Sequence, residues 1–292
     1  MTDARTLLAT AGLDPDRVLD LVRRAVEEDL DGGVDVTSTA TVPEDLRAHG
    51  EFTARAAGVV AGVPVAAAVL EHVAGGALAL EVRRPDGARV GPGDVVLVAD
   101  GPARALLTAE RTALNLLGRL SGVATLTRAW VDAVEGTGAT VRDTRKTTPG
   151  LRALEKYAVR CGGGTNHRMS LSDAAMVKDN HVVAAGGVAR AFRLVREAFP
   201  DVPVEVEADT VQDAVAAVEA GADLVLLDNM PVPELRRAVA AVAGRARLEA
   251  SGGLTLATAR EVAATGVDHL AVGALTHSAP VLDIGLDLRE GS

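Results

Sequence analysis

Residues 202–229 read VPVEVEADTVQDAVAAVEAGADLVLLDN. VPVEVEA has the form of a strand, Val211 to Ala220 that of a helix, and ADLVLLDN that of a second strand ending at Asp228. The run LVLL is apolar on both faces of the alternation, as parallel strands covered by helices require. The same rhythm extends in both directions. ATVRDT and AAMVKD precede it as strands, with a helix from Gly187 to Phe199; a helix over Val232–Val242, RLEASGG, a helix from about Leu256 to Thr265, and HLAVGA follow. Strand ends fall at 143, 178, 207, 228, 251 and 273, a spacing that suits successive βα units. Nearly every end carries a chemically capable residue: Asp143 with Arg145, Lys178, Glu207, Asp228, Ser251 and Gly273. A barrel brings such ends to one mouth, whereas an open sheet spreads them along an edge. The expected fold is therefore an α/β barrel, incomplete because only about six strands are clear. No dinucleotide or P-loop glycine motif is present.

The chain of 292 residues carries a net charge of −10, with 30 Lys plus Arg, yet its only lysines are Lys146, Lys156 and Lys178. All three lie in residues 144–181, TRKTTPGLRALEKYAVRCGGGTNHRMSLSDAAMVKDNH, a basic island on an acidic background. It reads either as a pocket for a small, multiply anionic ligand or as a solvated charged loop. Gly162, Gly163 and Gly164 favour the pocket, since glycines permit close backbone approach. The acidic surface argues against general nucleic-acid binding. Cys161 is the only cysteine, which excludes an intramolecular disulfide framework and fits a cytoplasmic setting. The N-terminus lacks the apolar core of a signal peptide, and no run reaches the length of a membrane helix.

Upstream, Asp14-Pro15 starts a helix to about Leu30, and Asp31–Thr41 reads as an acidic connection. EFTARAAGVVAG, ALALEVRR and GDVVLVADG read as strands, with PVAAAVLEHVAG as a helix between the first two, together a small α/β sandwich. Thr108 is a candidate cap for the helix that carries Arg111 into the apolar run ALNLLGRLSG. Arg111 wants an anionic partner there, either a carboxylate of the fold or a ligand near a subunit contact.

Glu207 and Asp228 end neighbouring βα strands and could hold a divalent ion, Mg²⁺ being matched to one or two carboxylates plus substrate phosphates; alternatively each pairs with a basic side chain. Glu205 alternates with Glu207 and faces the same side, so cations are needed nearby. Ser251-Gly252-Gly253 and Gly273-Ala274 follow the last two strands, where barrel loops commonly hold a phosphate. Arg145 and Arg168 suit carboxylate or phosphate, and Lys146 and Lys178 suit phosphate or developing negative charge. His167 could donate a hydrogen bond, shuttle a proton, or be a satisfied structural histidine.

These residues occur in blocks. TRKTTPGLR at 144–152, EKYAVRCGGGTNHR at 155–168, KDNH at 178–181, EVEADT at 205–210, LLDNM at 226–230, EASGG at 249–253 and VGALTHS at 272–278 resemble the signature of the quinolinate phosphoribosyltransferase family, as does ERTALNLLGRLSGVATLT at 110–127. The resemblance implies an N-terminal α/β sandwich domain, residues 1–113, and an incomplete seven-stranded, TIM-like barrel, residues 114–292, with a C-terminal tail that returns to the first domain. It implies a nicotinate-nucleotide diphosphorylase (carboxylating), a pentosyltransferase that moves the phosphoribosyl group of 5-phosphoribosyl 1-pyrophosphate to quinolinate and releases CO₂. In such a homodimer or larger assembly, Arg111 would come from the partner and meet quinolinate alongside Arg145, His167 and Arg168. Lys146 and Lys178 would assist catalysis and pyrophosphate binding. Glu207 and Asp228 would serve the ribose and Mg²⁺, and Ser251, Gly252 and Gly273 would receive the 5-phosphate. Related readings are a phosphoribosyltransferase acting on nicotinate and a relative of the family associated with molybdate uptake.

Overall fold

A computed structural model describes residues 3–290. The chain forms two compact units. The first holds residues up to Leu126, Thr148–Gly163 and the segment from Ser278; the second holds Thr127–Thr147 and Gly164–His277.

Four antiparallel strands form the larger sheet of the first unit, in the order Ile284–Glu290, Arg47–Ala54, Val95–Pro102, Ala79–Val82. Phe52, fully buried, stands opposite Leu286 on one side and Leu97 on the other. The helix Val63–Ala74 is buried through Val63–Leu70, which its uniformly apolar sequence allows. Asp14 caps Pro15–Leu30 by accepting from the Asp16 and Arg17 N–H groups, and Val18, Val22 and Val26 form its buried stripe.

Two expectations for this unit change. Residues 36–41 form a short helix within what read as an acidic connection, because the Asp35 carboxylate accepts from the Ser38 N–H and hydroxyl. The helix bearing Arg111 runs Ala103–Ala133 and follows the strand directly, so Thr108 is internal and does not cap it. Its hydroxyl instead donates to Asp35.

In the second unit, six parallel strands lie in the order Thr140–Arg142, His269–Ala271, Arg247–Ser251, Leu224–Asp228, Val204–Ala208, Ala175–Val177. The expected helix–strand rhythm is present, and Val225, Leu226 and Leu227 are all buried. A seventh segment joins the outer edge of Thr140–Arg142 through a single bridge, Arg142 to Thr165. Thr165 donates its N–H to Val141 O, and its own carbonyl accepts from Asp143 N–H. Among the described residues no ladder connects that segment to Ala175–Val177; the Arg168 guanidinium donates across to Ala174 O at 2.9 Å. The architecture is an incomplete α/β barrel. Among the described residues, no helix is long and apolar enough to cross a membrane.

The segment after Ser278 is held on the helix Ala103–Ala133 by close backbone approach. Leu282 N–H donates to Gly118 O at 3.0 Å, and a Cβ at Gly122 would overlap the Pro280 carbonyl. Backbone cannot swing aside as a side-chain end can, so Gly122→Ala is predicted to destabilise the fold by about 1–3 kcal/mol. Thermal unfolding of the variant measures this; an unchanged midpoint would contradict the packing described.

Candidate active site

The C-terminal ends of the parallel strands surround a cavity of about 530 Å³ within the second unit. Arg145 and Lys146 follow Thr140–Arg142, Lys178 follows Ala175–Val177, and Glu207 and Asp228 lie at the ends of their strands. Ser251 and Gly252 complete the rim, while His167 and Arg168 enter from the segment after Thr165. The chain thus gathers nine of its sequence-nominated residues in one lining. Gly273 lies against it, since a Cβ there would come 2.9 Å from Lys146 Cδ. Arg111 is elsewhere: it belongs to the first unit, is well exposed, and lines a separate cavity of about 220 Å³ with Glu28 and Asp29.

The basic island of residues 144–181 is divided between the two units. Thr148–Gly163 belongs to the first unit and carries Arg152, Lys156 and Arg160 with it. Lys156 is fully buried on the helix Arg152–Cys161, and Arg160 stacks over the Tyr157 ring. Adjacent Glu155, equally buried, receives Arg119 at 2.7 Å and the Thr148 hydroxyl at 2.8 Å. The amphipathic spacing of this segment is that of a core helix, a signal easily lost under its charge. Burial pushes the Cys161 thiol up to about 12, and the nearby Asp86 charge adds to the shift; it is not an activated nucleophile.

At the cavity wall two guanidinium groups lie close together. Arg145 Nε is buried with no hydrogen-bond acceptor. Burial, followed by the charge of Arg145, holds the Arg168 guanidinium below its ordinary value. Like charges and an orphan donor at one place are chemically suited to an anion with more than one oxygen to offer. Opposite in chemistry, Glu207 Oε2 accepts from Lys178 Nζ at 2.6 Å, the pairing anticipated as an alternative to metal binding. Asp228 Oδ2 accepts from Asn229 Nδ2 at 2.6 Å.

Beneath these groups lies a network of buried charge. His167 Nδ1 accepts from the Arg168 N–H at 2.8 Å, which places the ring proton on Nε2, and Nε2 donates to Glu205 Oε2 at 2.6 Å. Arg142 Nη1 donates to Glu249 Oε2 at 2.5 Å, and Glu249 Oε1 lies 3.5 Å from His167 Nε2. Both ring nitrogens of His167 are therefore engaged by the protein. His167, Glu205 and Glu249 bring their ligand atoms within 4.8 Å of one another, a set that could coordinate a divalent ion. Glu205 was visible in the strand alternation; Arg142, the last residue of Thr140–Arg142, and Glu249, the middle residue of Arg247–Ser251, were not singled out.

Burial, reinforced by the charge of Glu205, pushes the Glu249 carboxyl up to about 7 against the pull of Arg142 and His167. A carboxyl raised in the folded state favours folding at low pH, and that contribution is lost as pH climbs from the unfolded value to about 7. The thermal midpoint of Glu249→Gln minus that of the unmodified protein is therefore predicted to rise between pH 5 and pH 8. A difference that is flat across this window would contradict the buried charge.

Residues 35–121 match the family model for the quinolinate phosphoribosyl transferase N-terminal domain, and residues 123–287 match that for its C-terminal domain. A nicotinate-nucleotide pyrophosphorylase (carboxylating) of Mycobacterium leprae is 53% identical over 277 residues, covering 94% of this chain and 98% of the relative. NadC from Streptococcus pyogenes has a solved structure that superposes with a TM-score of 0.92 at 39% identity, covering 96% of this chain and 99% of that one. The nicotinate-nucleotide pyrophosphorylase from Francisella tularensis gives 0.88 at 34% identity, over 94% and 96% of the two chains. Both units are matched and the agreement runs through almost the full length, so the chain belongs to the quinolinate phosphoribosyltransferase family.

Proposed function

We propose that this enzyme transfers the phosphoribosyl group of 5-phosphoribosyl 1-pyrophosphate to quinolinate, with loss of CO₂, to give nicotinate mononucleotide and pyrophosphate for NAD biosynthesis. The observation that carries the reading is the juxtaposition of Arg145, with its acceptor-less buried Nε, and Arg168. Two neighbouring carboxylates on a pyridine ring offset that repulsion better than one. In the reaction the pyridine nitrogen bonds to C1 of the ribose as the bond from C1 to the pyrophosphate oxygen breaks. As CO₂ leaves, the electron pair of its bond stays on C2, stabilised by the adjacent ring nitrogen, which is now cationic, and C2 takes up a proton.

Arg145 and Arg168 orient the dicarboxylate in this reading, with His167 beneath Arg168 fixing its backbone. Lys146 and Lys178 face the phosphates as compact point charges. Ser251, Gly252 and Gly273 receive the 5-phosphate. Glu207 and Asp228 serve the ribose and a Mg²⁺ ion. They fit such an ion because each spends one carboxylate oxygen on Lys178 or Asn229 and retains the other, giving an all-oxygen donor set beside phosphates. The buried His167, Glu205 and Glu249 set is a poorer match to Mg²⁺, since it offers a ring nitrogen and is already bridged by Arg142. When bound, Mg²⁺ would neutralise charge on the departing pyrophosphate.

Arg111, exposed on the first unit, completes the quinolinate site of a second copy in a homodimer. The domain break near residue 113, with a tail returning to the first domain, and a cytoplasmic setting belong to the same proposal.

Purified protein supplied with quinolinate, 5-phosphoribosyl 1-pyrophosphate and Mg²⁺ should release nicotinate mononucleotide and CO₂ in equal amounts, with little product from nicotinate. Arg168→Lys keeps the charge but loses the fork, and should lower kcat/KM for quinolinate by about 10- to 100-fold. A folded, Mg²⁺-supplied protein without turnover would sink the assignment; equal use of nicotinate would reassign the acid.

A further inference from the structure

Asn229 follows the strand Leu224–Asp228 with φ +53, in the left-handed region that asparagine tolerates better than most residues. Three contacts radiate from it. Its backbone N–H donates to Ser251 O at 2.9 Å, tying two neighbouring strand ends together. Its side-chain Nδ2 donates to Asp228 Oδ2 at 2.6 Å. Its Oδ1 lies over the α-carbon of Gly252, where an added Cβ would overlap Oδ1 and come within 2.9 Å of the Asn229 backbone nitrogen. The amide has one workable orientation, because a flip would set its oxygen against the Asp228 carboxylate. Gly252, at φ +84, has both the backbone conformation and the missing side chain that this approach needs. Asn229, Asp228, Ser251 and Gly252 all line the same cavity.

We propose that Asn229 is a positioning residue that sets the Asp228 carboxylate and the Ser251–Gly252 turn as one unit, so that the ribose and the 5-phosphate of one substrate are received in register. The proposal rests on the reading above for the identity of that substrate. It assigns Asn229 to the sugar-phosphate side of the site and away from the quinolinate side. The left-handed backbone and the amide are separable by substitution. Asn229→Gly keeps the conformation and removes the amide; Asn229→Ala removes the amide and strains the backbone; Asn229→Asp keeps the shape and turns a donor into a second carboxylate against Asp228.

Steady-state kinetics and thermal unfolding of the three variants test the proposal. Asn229→Gly should unfold near the temperature of the unmodified protein, raise KM for 5-phosphoribosyl 1-pyrophosphate by at least about tenfold, and leave KM for quinolinate within about threefold. Asn229→Asp should be worse than Asn229→Gly on the same constant, although it is closer in shape. Calorimetry with ribose 5-phosphate supplies a readout that does not depend on turnover, and it too should weaken in Asn229→Gly. If the unmodified protein is inactive with quinolinate but its ribose 5-phosphate affinity still falls in Asn229→Gly, the substrate assignment fails and the positioning role stands. Equal ribose 5-phosphate affinity in both proteins overturns the role, as does absence of binding to the unmodified protein. A KM that rises equally for both substrates, or a lowered unfolding temperature with unchanged constants, also overturns it.

Discussion

Glu205 and Glu249 are buried almost completely and side by side, an arrangement that persists only because the buried His167 and the partly exposed Arg142 pair with them. An unpaired carboxylate in that position would cost several kcal/mol. The pairing also fixes what lies above it. With its Nε2 proton committed to Glu205, His167 turns Nδ1 toward the Arg168 N–H, and the backbone that carries Arg168 is held to the floor. His167 N–H is held in turn by Asp143, at the edge of the same sheet. The position of the cationic wall follows from the buried charge below it.

The wall itself is an exception to the chain's electrostatics. A protein of net charge −10 places Arg145, Lys146, Arg168 and Lys178 around one cavity, where parallel strands end together. Of these, Lys178 is neutralised by Glu207, while Arg145 and Arg168 act on each other unfavourably. Such an arrangement stores a preference for anions: the repulsion is present before binding and is offset when a carboxylate or phosphate arrives. The glycines of the last strand ends add backbone that a phosphate can approach closely.

Much of this was legible from the chain. Apolar runs such as LVLL and their regular spacing disclosed parallel strands, and the polar residue ending each run disclosed the mouth. Boundaries that depend on side-chain capping were harder. Asp35 turns an apparent connection into a helix, and Thr108 lies inside a helix because strand Val95–Pro102 passes directly into it. The charged run at residues 148–163 looked continuous with the site, yet its helix buries Glu155 and Lys156 in the first unit. The alternation in the final strand, Ile284–Glu290, places Ile284, Leu286 and Leu288 two apart, but its partner, Arg47–Ala54, is more than two hundred residues away. Arg142 and Glu249 escaped notice for a related reason: a charge inside a short strand is intelligible only beside the charge that neutralises it.

Arg145 and Arg168 are the proposed receptor for a dicarboxylate. Calorimetric titration of the folded protein with quinolinate and with nicotinate tests it without requiring turnover. Losing one charge-assisted contact costs about 1.5–3 kcal/mol, so quinolinate should bind at least about tenfold more tightly than nicotinate. Equal affinities for the two acids would contradict the account.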